Sequence, residues 1–242
     1  MENLKKELQE KGYTFFKMQD YSEFQDEYNQ YKKYICNSEK NLLNYIKSIR
    51  FDGNYLKEYI DKSILGNDPS HTRFHLDEKG KSFDDVHNRF VNEHLPKIDI
   101  NESMQYWFYG LPDDILADFR NLSHKIVENL YDENLESSQH LITLTYYKKD
   151  CFLRQHRDGK TGTRLCAVLF YLNDTDYNSE WGGNIVFEGT ESVEPIYGNV
   201  AVLDFKEGNC LHEVKKVIDG YGRYAILNFV STGAHTNTQN YY

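Results

Sequence analysis

The spacing of hydrophobic positions changes character near residue 140. Before that point apolar residues recur every three or four positions, as they do along one face of a helix. Helices are predicted through Leu4 and Leu8 up to Gly12, over residues 21–35 with Ser22 as the N-terminal cap, over residues 42–49, and from the residue after Pro112 through Leu130. A brief strand over Tyr13–Lys17 is expected between the first two helices.

After residue 140 the period becomes two, which is typical of β-strands. Eight short runs, rich in β-branched and aromatic residues and separated by Gly, Asp and Asn turns, occupy fewer than a hundred positions. This density predicts a closed or sandwiched β-architecture. The expected fold class is α+β with a mainly β catalytic core braced by N-terminal helices. One domain over 1–242 is expected: a mainly helical part at 1–139, with a loop or lid at 67–99, a β-core at 140–232 and a flexible tail at 233–242.

The composition narrows the classes of partner. Aromatic residues make up 15% of the 242 positions, which indicates a folded chain with many rings in its core and pockets. A formal net charge of −10 argues against an extended nucleic-acid interface. The four cysteines form no CxxC pair and are expected to be buried free thiols. No apolar run approaches the ~20 residues that span a bilayer, so a cytoplasmic protein without membrane contact is expected.

A candidate metal site lies within the β-region. His156 and Asp158 form an HxD motif at a predicted strand end, and His212 follows two strand pairs later. Two imidazoles and one carboxylate on one face of a metal leave coordination positions open, as non-haem Fe(II) oxygenases require. A second HxD motif, His75 and Asp77, lies in an irregular charged stretch without predicted strands. It is assigned to a surface or lid.

Arg223 is the residue that connects this site with a co-substrate. It lies eleven residues after His212, at the start of an apolar strand where an unpaired guanidinium would be costly. Its fork geometry matches a carboxylate in a bidentate manner, so it can hold one end of a dicarboxylic acid whose other end chelates iron.

The sequence resembles the prolyl 4-hydroxylase-like branch of the 2-oxoglutarate and Fe(II)-dependent oxygenases. The similarity covers residues 141–230 and consists of seven motifs in order. They are Tyr147, HRD at 156–158, FYLND at 170–174, WGGNIVF at 181–187, VEPIYGNVAVLDF at 193–205, HEVKKV at 212–217 and GRYAI at 222–226.

The resemblance implies a double-stranded β-helix, or jelly roll, and a set of functional residues. His156, Asp158 and His212 correspond to the iron ligands, and Arg223 to the anchor for the co-substrate carboxylate. Tyr171 matches a hydroxyl that assists the anchor, and Tyr147 matches a tyrosine near the chelating end of the co-substrate. The glycine pair 182–183 opens the fourth strand of the family's core and has a structural role. Asp150 departs from the glycine that many relatives carry.

The implied activity is hydroxylation of an unactivated C–H bond, coupled to decarboxylation of 2-oxoglutarate to succinate. The expected cofactors are Fe(II), 2-oxoglutarate and O₂, with ascorbate as a candidate reductant. An amino acid or related small molecule is the expected substrate, and a prolyl or other residue within a polypeptide is the alternative. The oligomeric state is left open.

Other classes fit the motifs less well. A nucleic-acid demethylase would carry a pair of arginines after the distal histidine, and a halogenase would replace Asp158 by a small residue. A non-catalytic jelly-roll binding protein would have lost the triad or Arg223, and a metal barrel of the cupin type would not explain Arg223 with Tyr171. An assay of iron-dependent O₂ uptake with 2-oxoglutarate separates the oxygenase from a binding protein.

Overall fold

The structure, a computed structural model, describes residues 1–49, 56–61, 71–76, 103–108, 111–131, 135, 138–158, 164–206 and 210–232. The α-helices are α1 (Glu2–Lys11), α2 (Gln25–Gln30), α3 (Leu42–Ile49) and α4 (Asp113–Leu130). Short 3₁₀ turns cover Met18–Asp20, Ser22–Phe24, Tyr31–Tyr34 and Ser179–Trp181. The strands are β1 (Tyr13–Lys17), β2 (Leu56–Asp61), β3 (His71–Leu76), β4 (Ser103–Phe108), β5 (Gln139–Tyr147), β6 (Phe152–Arg157), β7 (Arg164–Tyr171), β8 (Ile185–Phe187), β9 (Glu191–Val193), β10 (Asn199–Asp204), β11 (Leu211–Val214) and β12 (Arg223–Ser231).

The strands form two antiparallel layers. The larger layer has the order β1-β10-β7-β12-β5-β4, and β2 and β3 extend it beyond β4. The smaller layer has the order β6-β11-β8-β9 and joins the larger one where β4 pairs with both β5 and β6. This arrangement is a jelly roll, and it confirms the predicted fold class.

Aromatic contacts tie the two layers together. The ring of Tyr13 in β1 stacks on the ring of Phe187 in β8, with centroids 4.3 Å apart and planes 9° apart. The Phe187 ring in turn lies 6.3 Å from the imidazole of His212. The N-terminal strand therefore packs behind a residue of the predicted metal site.

Helix α4 braces the outer face of the larger layer against β5 and β12. Asp113 and Asp114 lie in its first turn, where negative charge complements the helix dipole. Buried residues recur along one face at spacings of three and four, and the ring of Phe119 on that face lies 5.3 Å from that of Phe170 in β7. The sequence predicted this helix with its observed bounds.

Two expectations for the first half were wrong. The single helix predicted over residues 21–35 is divided into a 3₁₀ turn, the short α2 and a second 3₁₀ turn, and Ser22 is the first residue of a turn rather than a cap. Side chains three positions apart align in a 3₁₀ turn. Tyr31 and Tyr34 consequently both contact the ring of Phe119, at centroid distances of 5.9 and 5.3 Å.

The part at 1–139 is also less helical than expected, because it contributes strands β1 to β4. Only β1 was predicted. Strand β3 lies inside the expected loop at 67–99, so His75 has the strand context that the sequence did not indicate. Asp77, the rest of that stretch and the predicted tail lie outside the described residues. Pairing decides these strands, since β2 pairs with both β3 and β4, whereas local propensity is weak there.

The glycine pair 182–183 has the structural role that the sequence predicted. Gly182 has φ +79°, and a Cβ at this position would lie 2.0 Å from the carbonyl oxygen of Lys216. Gly189 has a similar φ of +77° but no atom within 4 Å of an added Cβ. Of Gly182 and Gly189, only Gly182 therefore combines a positive φ with a close approach of another backbone segment.

We expect Gly182→Ala to lower the free energy of unfolding by roughly 3 kcal/mol or more, because strain and backbone collision act together. The matched control Gly189→Ala adds strain alone and is expected to cost about 1 kcal/mol. Denaturant titrations of both variants measure the difference, and equal losses would contradict the close approach.

Candidate active site

The three predicted metal ligands converge at the end of the smaller layer. His156 in β6 pairs directly with His212 in β11, and Asp158 follows β6. The two imidazole centroids are 4.3 Å apart. The Asp158 carboxylate lies 3.5 Å from His156 Nε2 and 3.6 Å from His212 Nε2. One potential ligand atom from each residue lies within 4.8 Å of the others, so the three could hold one metal ion.

Backbone carbonyls orient both imidazoles. His156 Nδ1 lies 2.9 Å from the carbonyl oxygen of Arg154, and His212 Nδ1 lies 3.2 Å from that of Cys210. A neutral imidazole that donates its Nδ1 hydrogen to a carbonyl keeps an Nε2 lone pair, and this network assigns that tautomer. Both Nε2 atoms, which are the nitrogens closest to Asp158, are thus prepared for a metal.

The electrostatic environment favours the same protonation states. Burial lowers the pKa of His212 to about 4, so this imidazole is neutral near pH 7. Burial on its own would raise the pKa of the Asp158 carboxyl, but the adjoining His156 and His212 side chains and the positive charge of Arg164 hold this pKa below its usual value. The neutral imidazole of His212 and the anionic carboxylate of Asp158 belong to a donor set that suits a divalent ion.

The predicted co-substrate anchor is buried in the larger layer. Arg223 is only 1% exposed at the start of β12, and its guanidinium lies 4.6 Å from the ring of Tyr147 and 5.2 Å from the ring of Tyr171. Within the described part of the chain, Arg223 Nε and Tyr171 Oη are buried without a hydrogen-bond partner. Buried donors without partners are rare and costly, so this pair fits a bound acceptor such as a carboxylate.

Gln105 is a residue of this pocket that the sequence did not indicate. It lies in β4 and is 7% exposed, and its Oε1 accepts a hydrogen bond from Tyr147 Oη. The adjacent pairs Tyr106–Tyr146 and Trp107–Thr145 place it beside Tyr147 in the larger layer. The run of aromatic residues at 106–109 was the available signal, but the segment was not recognised as a strand.

An apolar surface continues from the anchor along the same face of the layer. Side chains alternate along a strand, so Phe229 shares its face of β12 with Arg223. The ring of Phe229 stacks on Trp107 at 6.0 Å, the Arg164 guanidinium lies 4.5 Å from its centroid, and Leu141 pairs with it from β5. We call Trp107, Leu141, Arg164 and Phe229 the aromatic shelf. It is partly open, and Leu141 is 37% exposed.

All four cysteines are buried thiols that form no disulfide bond, as the sequence predicted. Within the described ranges, no helix has both the length and the apolar character needed to cross a bilayer. The cytoplasmic location stays a prediction.

Comparisons with known proteins agree with the class that the fold and the site indicate. Residues 142–231 match the family described as the 2OG-Fe(II) oxygenase superfamily. This segment is therefore that of a 2-oxoglutarate and Fe(II)-dependent oxygenase, and the protein is an enzyme of the dioxygenase class. Fe(II), 2-oxoglutarate and O₂ are the cofactors that this superfamily implies. No curated protein matches the sequence significantly.

Solved structures with a similar fold include prolyl hydroxylases. A prolyl hydroxylase from Trichoplax adhaerens, in complex with a peptide fragment of the hypoxia inducible factor oxygen degradation domain, is 15% identical with a TM-score of 0.52. The match covers 94% of this chain and 87% of that one. A Pseudomonas putida prolyl-4-hydroxylase is 14% identical with a TM-score of 0.49, covering 96% and 98%. The family match confirms the predicted resemblance to the 2-oxoglutarate and Fe(II)-dependent oxygenases, and the Trichoplax adhaerens structure shows the same fold.

Proposed function

We propose that this chain is a hydroxylase of a prolyl residue within a polypeptide, with His156, Asp158 and His212 as ligands of Fe(II). Arg223 and Tyr171 would bind one carboxylate of 2-oxoglutarate, and Tyr147 would contact the co-substrate as well. The observation that carries the proposal is the pair of buried donors, Arg223 Nε and Tyr171 Oη, in the larger layer of a jelly roll whose smaller layer holds the triad. This combination suits a dicarboxylate that reaches from the anchor to a metal.

The chemistry is an oxygen insertion for which the bound cofactors supply the oxidising power. One O₂ and one 2-oxoglutarate would convert a C–H bond to C–OH and yield succinate and CO₂, so that each oxygen atom enters one of the two organic products. Ferrous iron supplies the centre at which O₂ is reduced, and 2-oxoglutarate supplies two electrons.

The protein's own residues would bind and orient the reactants. The carbonyls of Arg154 and Cys210 keep the imidazoles turned toward the metal position. Arg223 and Tyr171 offer donors in a water-excluded pocket, where a charge-assisted hydrogen bond is stronger than in water. Burial raises the pKa of Tyr171 above its ordinary value, which keeps its hydroxyl protonated and able to donate.

The aromatic shelf supports a substrate that is part of a polypeptide. Aromatic-lined grooves bind proline-containing segments, because the flat ring of proline packs on aromatic faces. Trp107 and Phe229 present such faces, and Arg164 adds a donor for peptide carbonyl oxygens. The partly open shelf would allow an extended chain to pass. The similar fold of a prolyl hydroxylase that binds a peptide favours this alternative over the free amino acid predicted from the sequence.

Succinate formation measured with proline-containing peptides and with free amino acids tests the substrate class. We expect turnover with peptides and little with free proline, and none with a peptide in which the proline is replaced by alanine. Higher turnover of a free amino acid than of any peptide would contradict the proposal and return the substrate to the small-molecule class.

We expect Phe229→Ala to raise the KM for the peptide about tenfold, because a ring contact of about 1 kcal/mol and buried apolar area are lost together. The affinity for 2-oxoglutarate should be unchanged. Tyr45→Ala removes an exposed ring outside the shelf and is the matched control, with no expected change in KM. A normal peptide KM for Phe229→Ala would exclude the shelf as the substrate surface.

A further inference from the structure

Gln105 is a buried polar neighbour of Tyr147 whose role the proposed function leaves unexplained. Its amide oxygen accepts the hydrogen of the Tyr147 hydroxyl, and the Tyr147 ring lies 4.6 Å from the Arg223 guanidinium. Gln105, Tyr147 and Arg223 therefore form a continuous polar chain across β4, β5 and β12.

The Tyr147 hydroxyl has a single hydrogen to give. Burial raises the pKa of Tyr147, an effect that the charge of Arg223 only partly opposes, so the phenol stays protonated. A phenol offers one donor and two lone pairs. While its hydrogen points to Gln105 Oε1, Tyr147 presents only lone pairs to the pocket, and lone pairs repel a carboxylate.

We propose that Gln105 is a positioning residue that directs the Tyr147 hydrogen toward the co-substrate when 2-oxoglutarate binds. The inference rests on the proposed function. A side-chain amide carries an acceptor and a donor on the same carbon, so a half-turn about its last bond replaces Oε1 by Nε2. Nε2 then donates to Tyr147 Oη, and the released hydroxyl hydrogen turns to a carboxylate oxygen of the co-substrate. No bond other than hydrogen bonds is made or broken.

Glutamine suits this task better than its close relatives. Glutamate has the same shape but, when ionised, only accepts hydrogen bonds, so it would retain the Tyr147 hydrogen and add a negative charge next to an anionic ligand. Methionine fills a similar volume but offers no strong donor or acceptor. Comparison of Gln, Glu and Met at position 105 therefore separates the effect of hydrogen-bond direction from the effect of packing.

A purely structural role would give a different pattern of effects. The hydrogen bond between Gln105 and Tyr147 also links β4 to β5, and its loss could loosen the pocket in general. Thr143 provides the matched control, since its hydroxyl in β5 donates to the carbonyl oxygen of Phe108 in β4 over 2.9 Å. Thr143→Val removes a side-chain link between the same two strands without altering the partners of Tyr147.

The test measures the dissociation constant of 2-oxoglutarate by calorimetry on Mn(II)-loaded protein without O₂. We expect Tyr147→Phe to weaken binding about tenfold, as loss of a hydrogen bond to a charged group predicts. Gln105→Met should weaken binding by less than this, because the Tyr147 hydroxyl remains but loses the Nε2 donor that orients it. The double variant should be no weaker than the weaker single variant, because both changes remove the same relay. Gln105→Glu should bind most weakly, and Thr143→Val should bind as the wild type does.

If the two losses of affinity multiply in the double variant, or if Gln105→Met binds 2-oxoglutarate as the wild type does, this inference is overturned and the proposed function stands. An equal loss in Thr143→Val would do the same by showing a general effect of strand coupling. If wild-type protein fails to bind 2-oxoglutarate, the proposed function falls first and the inference with it. Gln105→Glu preserves side-chain shape, so melting curves of this variant and of Gln105→Met separate lost binding from lost folding.

Discussion

Replacing His212 by alanine is expected to abolish both iron binding and turnover while leaving the fold intact. His212 is 5% exposed, and its ring lies beside those of Phe187 and His156. Among the described residues, only His156 and Asp158 are grouped with it as possible metal ligands, so no fourth side chain is in place to substitute for it. A site reduced from three ligands to two loses most of its affinity for Fe(II). Equilibrium dialysis with Fe(II) under anaerobic conditions measures the binding, and we expect one ion per wild-type chain.

The matched control uses the second HxD motif of the sequence. His75→Ala, in β3, should retain one ion per chain and full turnover. His156→Ala and Asp158→Ala should behave as His212→Ala does. If the His212 variant turns over substrate, or if the His75 variant loses iron, the assignment of the metal to His156, Asp158 and His212 is wrong.

Replacing Arg223 by methionine should lower the affinity for 2-oxoglutarate several hundredfold. The guanidinium is almost completely buried, and removal of one partner from a buried ion pair costs about 3–5 kcal/mol because the remaining carboxylate is left without a counter-charge. Lysine should restore only part of the affinity, since it cannot bind a carboxylate through two parallel hydrogen bonds. The dependence of the rate on 2-oxoglutarate concentration measures both effects.

Arg157→Met is the control for the charge change. Arg157 is exposed at the end of β6, with its guanidinium 3.8 Å from the Glu188 carboxylate, and its removal alters the net charge equally at an exposed position. We expect an unchanged dependence on 2-oxoglutarate. If the rate depends on 2-oxoglutarate concentration in the same way for Arg223→Met and for the wild type, Arg223 is excluded as the anchor.

The site was predictable where chemistry and local pattern coincide. His156 and Asp158 stand at the end of an alternating strand, and Arg223 opens an apolar one, where a charge needs a partner. The structure brings His156, Asp158 and His212 together and buries Arg223 between Tyr147 and Tyr171. Their roles as ligands and anchor stay predictions that the experiments above address.

The rest of the pocket depends on pairing between distant segments. Gln105 and Trp107 reach the pocket only because β4 pairs with β5, some forty positions away, and nothing near them in the sequence indicates that partner. The aromatic shelf likewise combines four strands. Strands β2 and β3 were missed for the same physical reason, because a short segment can become a strand through its neighbours alone.

The central claim is most directly tested by following ¹⁸O₂ through a single reaction with purified protein, Fe(II), 2-oxoglutarate and a proline-containing peptide. We expect one succinate for each hydroxylated peptide, with one labelled oxygen atom in each, and no product when iron or 2-oxoglutarate is omitted. Hydroxylated peptide that takes its oxygen from water, or that forms equally well without 2-oxoglutarate, would contradict the account.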